Sequence, residues 1–442
     1  GWKAAEPADA LPRGAWWRRY DDTALDALEQ RVTLANEDLK AGVARLDQAR
    51  AAATIAKAPS LPLLNLAATA RRARVSETTA NHAAGSAALT NDTLIGLNLS
   101  YEIDLWGRVR NAGLAAEARA EASAADLEAL RLSLHAELAN DYFAMRGYEQ
   151  MEQLLNETLA SSARALDLTR HRHAAGLVTE QDVNLLEVLV GNMHAARADV
   201  QLRRTQLVHA MALLVGAAAS DFDLAGGRLP STPAPVQPGL PASLLERRPD
   251  VAAAERRVFA ANADIGVARA AYFPTLGIGA AAGHESARKS ALFDTPSRFW
   301  SLGPQAALNL FDAGRSAGTV DLARGGVDEA AANYRRVVLT AYKEAEDSLA
   351  AIGRIDEELA GAGVAAAAAE RTLAQVRRQY DGGLVSFLPV ASAQLAALQT
   401  RQALVSLRVA RLDADVMLVR ALGGDWRHAA GARAMTLKPE KP

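Results

Sequence analysis

The 442 residues are half hydrophobic but only 5% aromatic, so the apolar content is mostly alanine and leucine, which favours helix. The formal net charge of -2 lacks the basic excess of a nucleic-acid binder, and with no cysteine the chain has no disulfides and no thiolate metal sites. No window reaches the roughly 18 uninterrupted apolar residues of a membrane-spanning helix. The best, Leu207 to Ala219, is shorter and contains His209, so any contact with a membrane is not through helices.

The chain opens at Gly1 without a charged and apolar leader, which leaves a cytosolic protein or a processed one. After an N-terminal segment, 1–22, a first repeat is expected over 23–216, opening with a helix. Its strands are expected at about 62–73 and 93–105. In TLIGLNLSYEIDLWGRVR, Ile95, Leu97, Leu99, Tyr101, Ile103 and Leu105 alternate with Gly96, Asn98, Ser100, Glu102 and Asp104. That period of two is a strand with one apolar and one wet face. At Gly107-Arg108 the alternation stops, and long alanine-rich helices are predicted over 107–175 and 179–216. Gly113 to His173 contains no proline and a single internal glycine, Gly147. Sixty helical residues span about 90 Å, far deeper than an ordinary core.

A Pro- and Gly-rich connector, 217–242, with GGRLPSTPAPVQPGLP at its heart, precedes a second repeat over 243–423. The second repeat predicts strands at about 274–284 and 299–311, long helices at 314–382 and 386–423, and then a C-terminal segment, 424–442. The duplication is read from Gly107-Arg108 and Gly314-Arg315, Glu137 and Glu344, Arg164 and Arg371, Gly176-Leu177-Val178 and Gly383-Leu384-Val385, and Gly216 and Gly423, all 207 positions apart. A gapless offset is what duplicated pairs of packed helices leave, because their packing punishes insertions. In the last strand Trp300, Leu302 and Leu308 share a face, with Ser301, Gln305 and Asn309 on the other.

Roughly 11 residues is the length of a tilted strand crossing a bilayer. One such strand alone also fits an amphipathic sheet on a soluble protein. Duplicated hairpins, Glu102 and Asp104 on the wet face, and helices too long to cover a small sheet favour a membrane barrel instead. Ile95, Leu97, Leu99, Tyr101, Ile103, Trp300, Leu302 and Leu308 are then expected to face lipid, and Asn98, Ser100, Glu102, Asp104 and Asn309 the lumen. Four strands cannot close, so the chain must oligomerise if it spans. Two copies give a filled eight-stranded barrel and three a twelve-stranded one with a lumen.

The stretch GLPASLLERRPDVAAAERRVFAANADIGVARAAYFPTL, residues 239–276, with YEIDLWGRVR and the closing ALGGDW, resembles the outer membrane factor family of tripartite efflux pumps. The likeness covers nearly the whole chain and is to the OprM-type, NodT-like lipoproteins, with TolC more distant. It implies an α+β membrane protein, a homotrimer whose twelve-stranded outer membrane β-barrel continues as an α-helical coiled-coil periplasmic tunnel. It also implies an equatorial belt from the chain ends and the connector. The implied partners are outer membrane lipid, a periplasmic adaptor and an inner membrane transporter of the RND class. Relatives are often acylated on a cysteine just before a sequence like GWKAAEP, which makes a lipid anchor an expectation. The implied function is a passive exit duct for drugs or other small molecules. The alternatives are the outer membrane component of type I protein secretion and a periplasmic coiled-coil scaffold.

By the same likeness, the duplicated turns Gly176, Leu177, Val178 and Gly383, Leu384, Val385 form the periplasmic tip that partners contact. Asp182 matches a gate aspartate and Leu388 an apolar gate ring, while Ser392 and Pro389 stand where relatives carry a second aspartate and Leu395 where the OprM type has an arginine nearby. Asp182 is equally an ordinary carboxylate stabilised at a helix N-terminus. His171 and His173 lack further ligands at fixed spacing and are expected to be a solvated helix end. No GxSxG, GxxxxGK[ST] or HExxH motif is present, so neither an enzyme nor a cofactor is expected.

Overall fold

The computed structural model describes residues 14–74, 76, 78, 89–233 and 247–424. Most of the expected segment 1–22, part of the connector 217–242, most of the 74–92 loop and nearly all of 424–442 lie outside the described residues. The described chain divides into two compact units, 1–44 with 125–252 and 336–442, and 45–124 with 253–335.

Seven α-helices of eight residues or more are described: α1 Thr23–Ala35, α2 Glu37–Lys57, α3 Arg108–Ala174, α4 Glu180–Leu214, α5 Pro249–Ala270, α6 Arg315–Asp381 and α7 Phe387–Ala421. Both α3 and α6 have 67 residues, and both α4 and α7 have 35. Each boundary of the first pair recurs 207 positions later in the second. The duplication read from scattered identities therefore holds for every end of the four long helices. Among the described residues no helix is long and apolar enough to cross a membrane.

In the first unit, the helix ends explain several of the duplicated residues. Gly216 and Gly423 follow α4 and α7 with φ of 66° and 81°. A Cβ on Gly216 would lie 2.5 Å from the Ala35 carbonyl oxygen, and one on Gly423 3.0 Å from that of Arg247. Glycine thus lets each helix end press against the chain that opens the short helix of its own repeat. The spare carbonyls of both ends are met in parallel: Asn36 Nδ2 donates to Leu214 O at 2.9 Å, and Arg248 Nη1 to Ala421 O at 3.3 Å. Arg248 is buried and also bonds Asp250 at 3.0 Å and Glu344 at 2.6 Å, which gives the Arg248-Pro249-Asp250 stretch a physical role.

α1 starts because Asp22 accepts from the Ala24 and Leu25 amides at 2.9 and 3.0 Å. It buries Leu25, Leu28, Glu29 and Val32, the spacing of one helix face. Trp17 stacks on His135 of α3 with centroids 4.6 Å apart, and Tyr20 meets Phe143 edge-on at 4.7 Å. Deeper, Tyr20 donates to Asp415 at 2.8 Å, Arg19 pairs with Asp415 at 3.1 Å, and Arg411 pairs with Asp356 at 2.8 Å. Gly147, in the middle of α3, serves packing, since a Cβ there would stand 2.5 Å from Val409 Cγ2 of α7.

The second unit carries one antiparallel sheet, order β1-β2-β3-β4, with β1 Leu63–Arg74, β2 Leu89–Ile103, β3 Thr275–Ser286 and β4 Arg298–Ala307. Register fixes the faces. Leu64, Leu99, Ala280 and Leu302 form one row, and Leu66, Leu97, Ala282 and Trp300 the next. Tyr101, Ile278 and Pro304, then Ile103, Leu276 and Ala306, continue that apolar face. The other face holds Asn65, Asn98, Ala281 and Ser301, then Leu63, Ser100, Gly279 and Gly303, then Glu102, Gly277 and Gln305.

Two expectations about strand ends need correction. β4 stops at Ala307, not at 311, because its last pair is Thr275 with Ala307 and Pro274 ends β3's reach. Leu308 and Asn309 therefore lie beyond the strand, and neither takes a sheet face. β2 likewise ends at Ile103, and Asp104 turns back to accept from the Val109 and Arg110 amides at 3.0 and 2.8 Å. Asp104 thus caps the start of α3, where a carboxylate satisfies free amides, and is not a wall residue.

Candidate gate and channel wall

At the tip of the first unit the two long hairpins turn in the same way. Gly176 and Gly383 have φ of 71° and 72°. The Leu177 amide reaches back to Arg172 O at 2.9 Å, as the Leu384 amide does to Gln379 O. These are paired glycine C-caps, which leave Leu177 and Leu384 exposed at 73% and 79%. The two hairpins are tied together just behind the turns. Arg172 donates to the Tyr380 hydroxyl at 3.0 Å and lies over its ring, and Tyr380 meets Phe387 edge-on at 5.4 Å. Below them Leu166, Leu186, Phe387, Val390 and Ala391 form a buried cluster.

Asp182 completes a capping box at the start of α4. Its Oδ2 accepts from the Thr179 amide at 3.1 Å and the Thr179 hydroxyl at 2.7 Å, while its own amide bonds Thr179 Oγ1 at 3.3 Å. The sequence signal for this, T-x-x-D before a helix, was present and reads as a cap. In the second repeat Ser386 makes no side-chain cap bond, and Pro389 occupies the place of Asp182. On α7, Leu388, Ser392, Leu395 and Gln399 recur at one turn's spacing and are all exposed, whereas Phe387, Val390, Ala391 and Gln394 point into the unit. Gln394 is held there by Ser162 Oγ at 2.8 Å.

His171 and His173 end α3, and the His171 ring bonds the Asp167 carbonyl at 2.8 Å. Among the described residues no group of three or more His, Cys, Asp or Glu is arranged to hold a metal.

In the second unit, the wet face of the sheet is a wall of small and polar groups. Glu102 is met by Arg108 Nε at 2.9 Å, which balances its charge at the foot of the wall. Asn98 and Ser100 share that face with Gly279, Ala281, Ser301 and Gly303, and the Gln305 amide lies across Gly279. At the junction of strands and helices, Trp106 stacks on Phe273 with centroids 4.5 Å apart and donates to Pro274 O at 2.8 Å. Tyr272 and Phe273, just before β3, and Leu310 and Phe311, just after β4, are exposed as well.

A family model described as "Outer membrane efflux protein" matches residues 28–217 and 240–424. The chain belongs to the outer membrane efflux protein family. It is 33% identical over 433 residues to the pyoverdine export outer membrane protein OpmQ of Pseudomonas aeruginosa, covering 96% of this chain and 90% of that one. It is 31% identical to the toluene efflux pump outer membrane protein TtgI of Pseudomonas putida, covering 95% and 88%. The outer-membrane channel OprN superposes with a TM-score of 0.88 at 28% identity, covering 96% of this chain and 95% of that one. The outer membrane efflux protein described here therefore has the α+β channel fold, a sheet joined to long helices that form a tunnel, and works at the outer membrane as a duct reaching into the periplasm. The two matched segments are separated by residues 218–239.

Proposed function

We propose that three copies of the chain close a twelve-stranded barrel and act as the passive outer membrane exit of a tripartite pump for small molecules. The observation that carries this reading is the order β1-β2-β3-β4, which leaves β1 and β4 as outer strands of a four-stranded sheet. In lipid each unpaired backbone group costs several kcal/mol, so β4 of one copy must pair with β1 of the next. Three copies leave a lumen where two would fill it. The apolar face, with Leu97, Leu99, Tyr101, Ile103, Trp300 and Leu302, then meets lipid, and the face with Asn98, Ser100 and Glu102 lines the lumen.

The gate belongs to α7. Leu388, Ser392 and Leu395 share an exposed face near the tip, and threefold symmetry would turn Leu388 into an apolar ring. Such a ring closes by touching itself and excluding water. Asp182 contributes its charge to the same tip while its carboxylate is engaged by Thr179. The exposed turns at Gly176 to Val178 and Gly383 to Val385 are the contact points for a periplasmic adaptor, which links the duct to an inner membrane transporter of the RND class. The cargoes named for OpmQ and TtgI, pyoverdine and toluene, share little chemistry, which fits a wall that guides without recognising. Planar-bilayer recording of the purified protein tests the whole reading: discrete channels of low resting conductance are expected, and a protein that never conducts overturns it.

A further inference from the structure

The charged residues of the sheet are sorted by face. On the apolar face the register runs from Ile103, Leu276 and Ala306 up through Leu97, Ala282 and Trp300 to Ile95, His284 and Arg298. Along β1 the same face runs from Leu64 and Leu66 through Ala68 and Ala70 to Arg72 and Arg74. Arg72, Arg74 and Arg298 are exposed, and they lie at the end of the sheet where the β1–β2 and β3–β4 loops are, opposite the end that joins the helices. The acidic residues at that end of the paired strands take the other face: Asp92 lies across from Arg71, and Glu285 from Leu94. In the paired rows the apolar face therefore carries arginine above its hydrocarbon band and no carboxylate.

An arginine just above a lipid-facing apolar band needs an anion at headgroup height, and its planar fork suits phosphate oxygens. The two basic groups sit on the two outer strands, β1 and β4. Where copies join, Arg298 of one copy comes to the same end of the seam as Arg72 of the next. We propose that each of the three seams binds the phosphates of a phosphorylated glycolipid in the outer leaflet of the outer membrane. This rests on the trimeric barrel proposed above. Lipid bound there bridges two copies and strengthens the one strand pairing that is not made within a chain.

The test uses the purified protein in detergent with bisphosphorylated lipid A as probe, read by native mass spectrometry, with light scattering on the same samples. Up to three lipids per trimer are expected, and dephosphorylated lipid A should bind at least tenfold more weakly. The variant Arg72→Gln/Arg298→Gln should lose binding by a similar factor, Arg72→Lys/Arg298→Lys should keep most of it, and Arg71→Gln, on the lumen face of the same strand, should leave it unchanged. Equal binding of the dephosphorylated lipid, or equal loss in Arg71→Gln, overturns the site. Displacement of lipid A by millimolar inorganic phosphate overturns it too, by marking a site for free anion. The wild-type comparison needs no variant to fold. A wild-type monomer in light scattering overturns the assembly and the seam together, whereas a trimer without lipid preference overturns the seam site alone.

Discussion

Pro389 stands 207 positions after Asp182, so in the proposed gate the two repeats differ at this position. Proline is tolerated in a first helical turn, but it offers no charge and no cap. One repeat therefore brings a carboxylate to the tip and the other brings an apolar turn led by Leu388. Leu388→Ala should raise resting conductance substantially in planar bilayers. Asp182→Ala should mainly weaken cation preference and, by removing the capping box, cost about 1 kcal/mol at the α4 start. If Asp182→Ala opened the channel and Leu388→Ala did not, the carboxylates would be the lock. A second residue-scale effect is a pH dependence. Burial first, then the charge of Asp141, pushes the Asp413 carboxyl from 3.8 up to about 7. Its proton is held more tightly in the folded state, so this stabilisation is complete below 3.8 and is lost as pH rises through about 7. Burial depresses His135 from 6.5 to about 4, which works in the opposite direction as pH falls through that range. Between about pH 6.5 and 8 the His135 effect fades, while Asp141, pushed up to about 6 by burial, and Glu29 and Asp415, also raised by burial, act in the same direction as Asp413. Thermal stability should fall across that window, and Asp413→Asn should flatten the fall and stabilise at pH 8 by on the order of 1 kcal/mol.

At the scale of elements, the α3–α7 contact and the sheet each yield a test. Gly147→Ala gains about 1 kcal/mol of helix propensity but sets a Cβ 2.5 Å from a stiff Val409 methyl, an overlap that costs about 1–3 kcal/mol. Net destabilisation is expected in urea unfolding, with rescue by a paired Val409→Ala. In the sheet, Leu99→Lys should cost about 2–4 kcal/mol in bilayer refolding, while Asn98→Lys should be tolerated. Equal tolerance at the two sites would refute the barrel. The alternation around Leu99 was legible because a strand with one lipid face must repeat every second residue. The end of β4 was not: Leu308 and Leu310 continue the alternation, and only the loss of a β3 partner beyond Thr275 stops the strand. Helix ends were legible to within two residues because a glycine of positive φ follows each of the four long helices. The pairing of Arg172 with Tyr380, 208 residues apart, left no local pattern to read. Asp104 looked like a wall residue by period alone, since a helix cap one turn away carries no signature in a strand's alternation.

At the scale of the whole molecule, assembly is the first test. A folded, membrane-inserted monomer with full sheet content should not exist, and light scattering in detergent should find a trimer. The equal lengths of α3 and α6, and of α4 and α7, carry a further consequence. Two hairpins that end flush act as twin rulers. Shortening one ruler by seven residues keeps its own helices in phase, since seven residues is close to two turns, yet sets its turn about 10 Å short of its neighbour. A partner reading both turns would then find one missing. Cutting the same length from both, at matched places in each limb, leaves the turns level. Over evolutionary time such a chain can change its reach only by editing four places at once, so its length should drift far more slowly than its sequence.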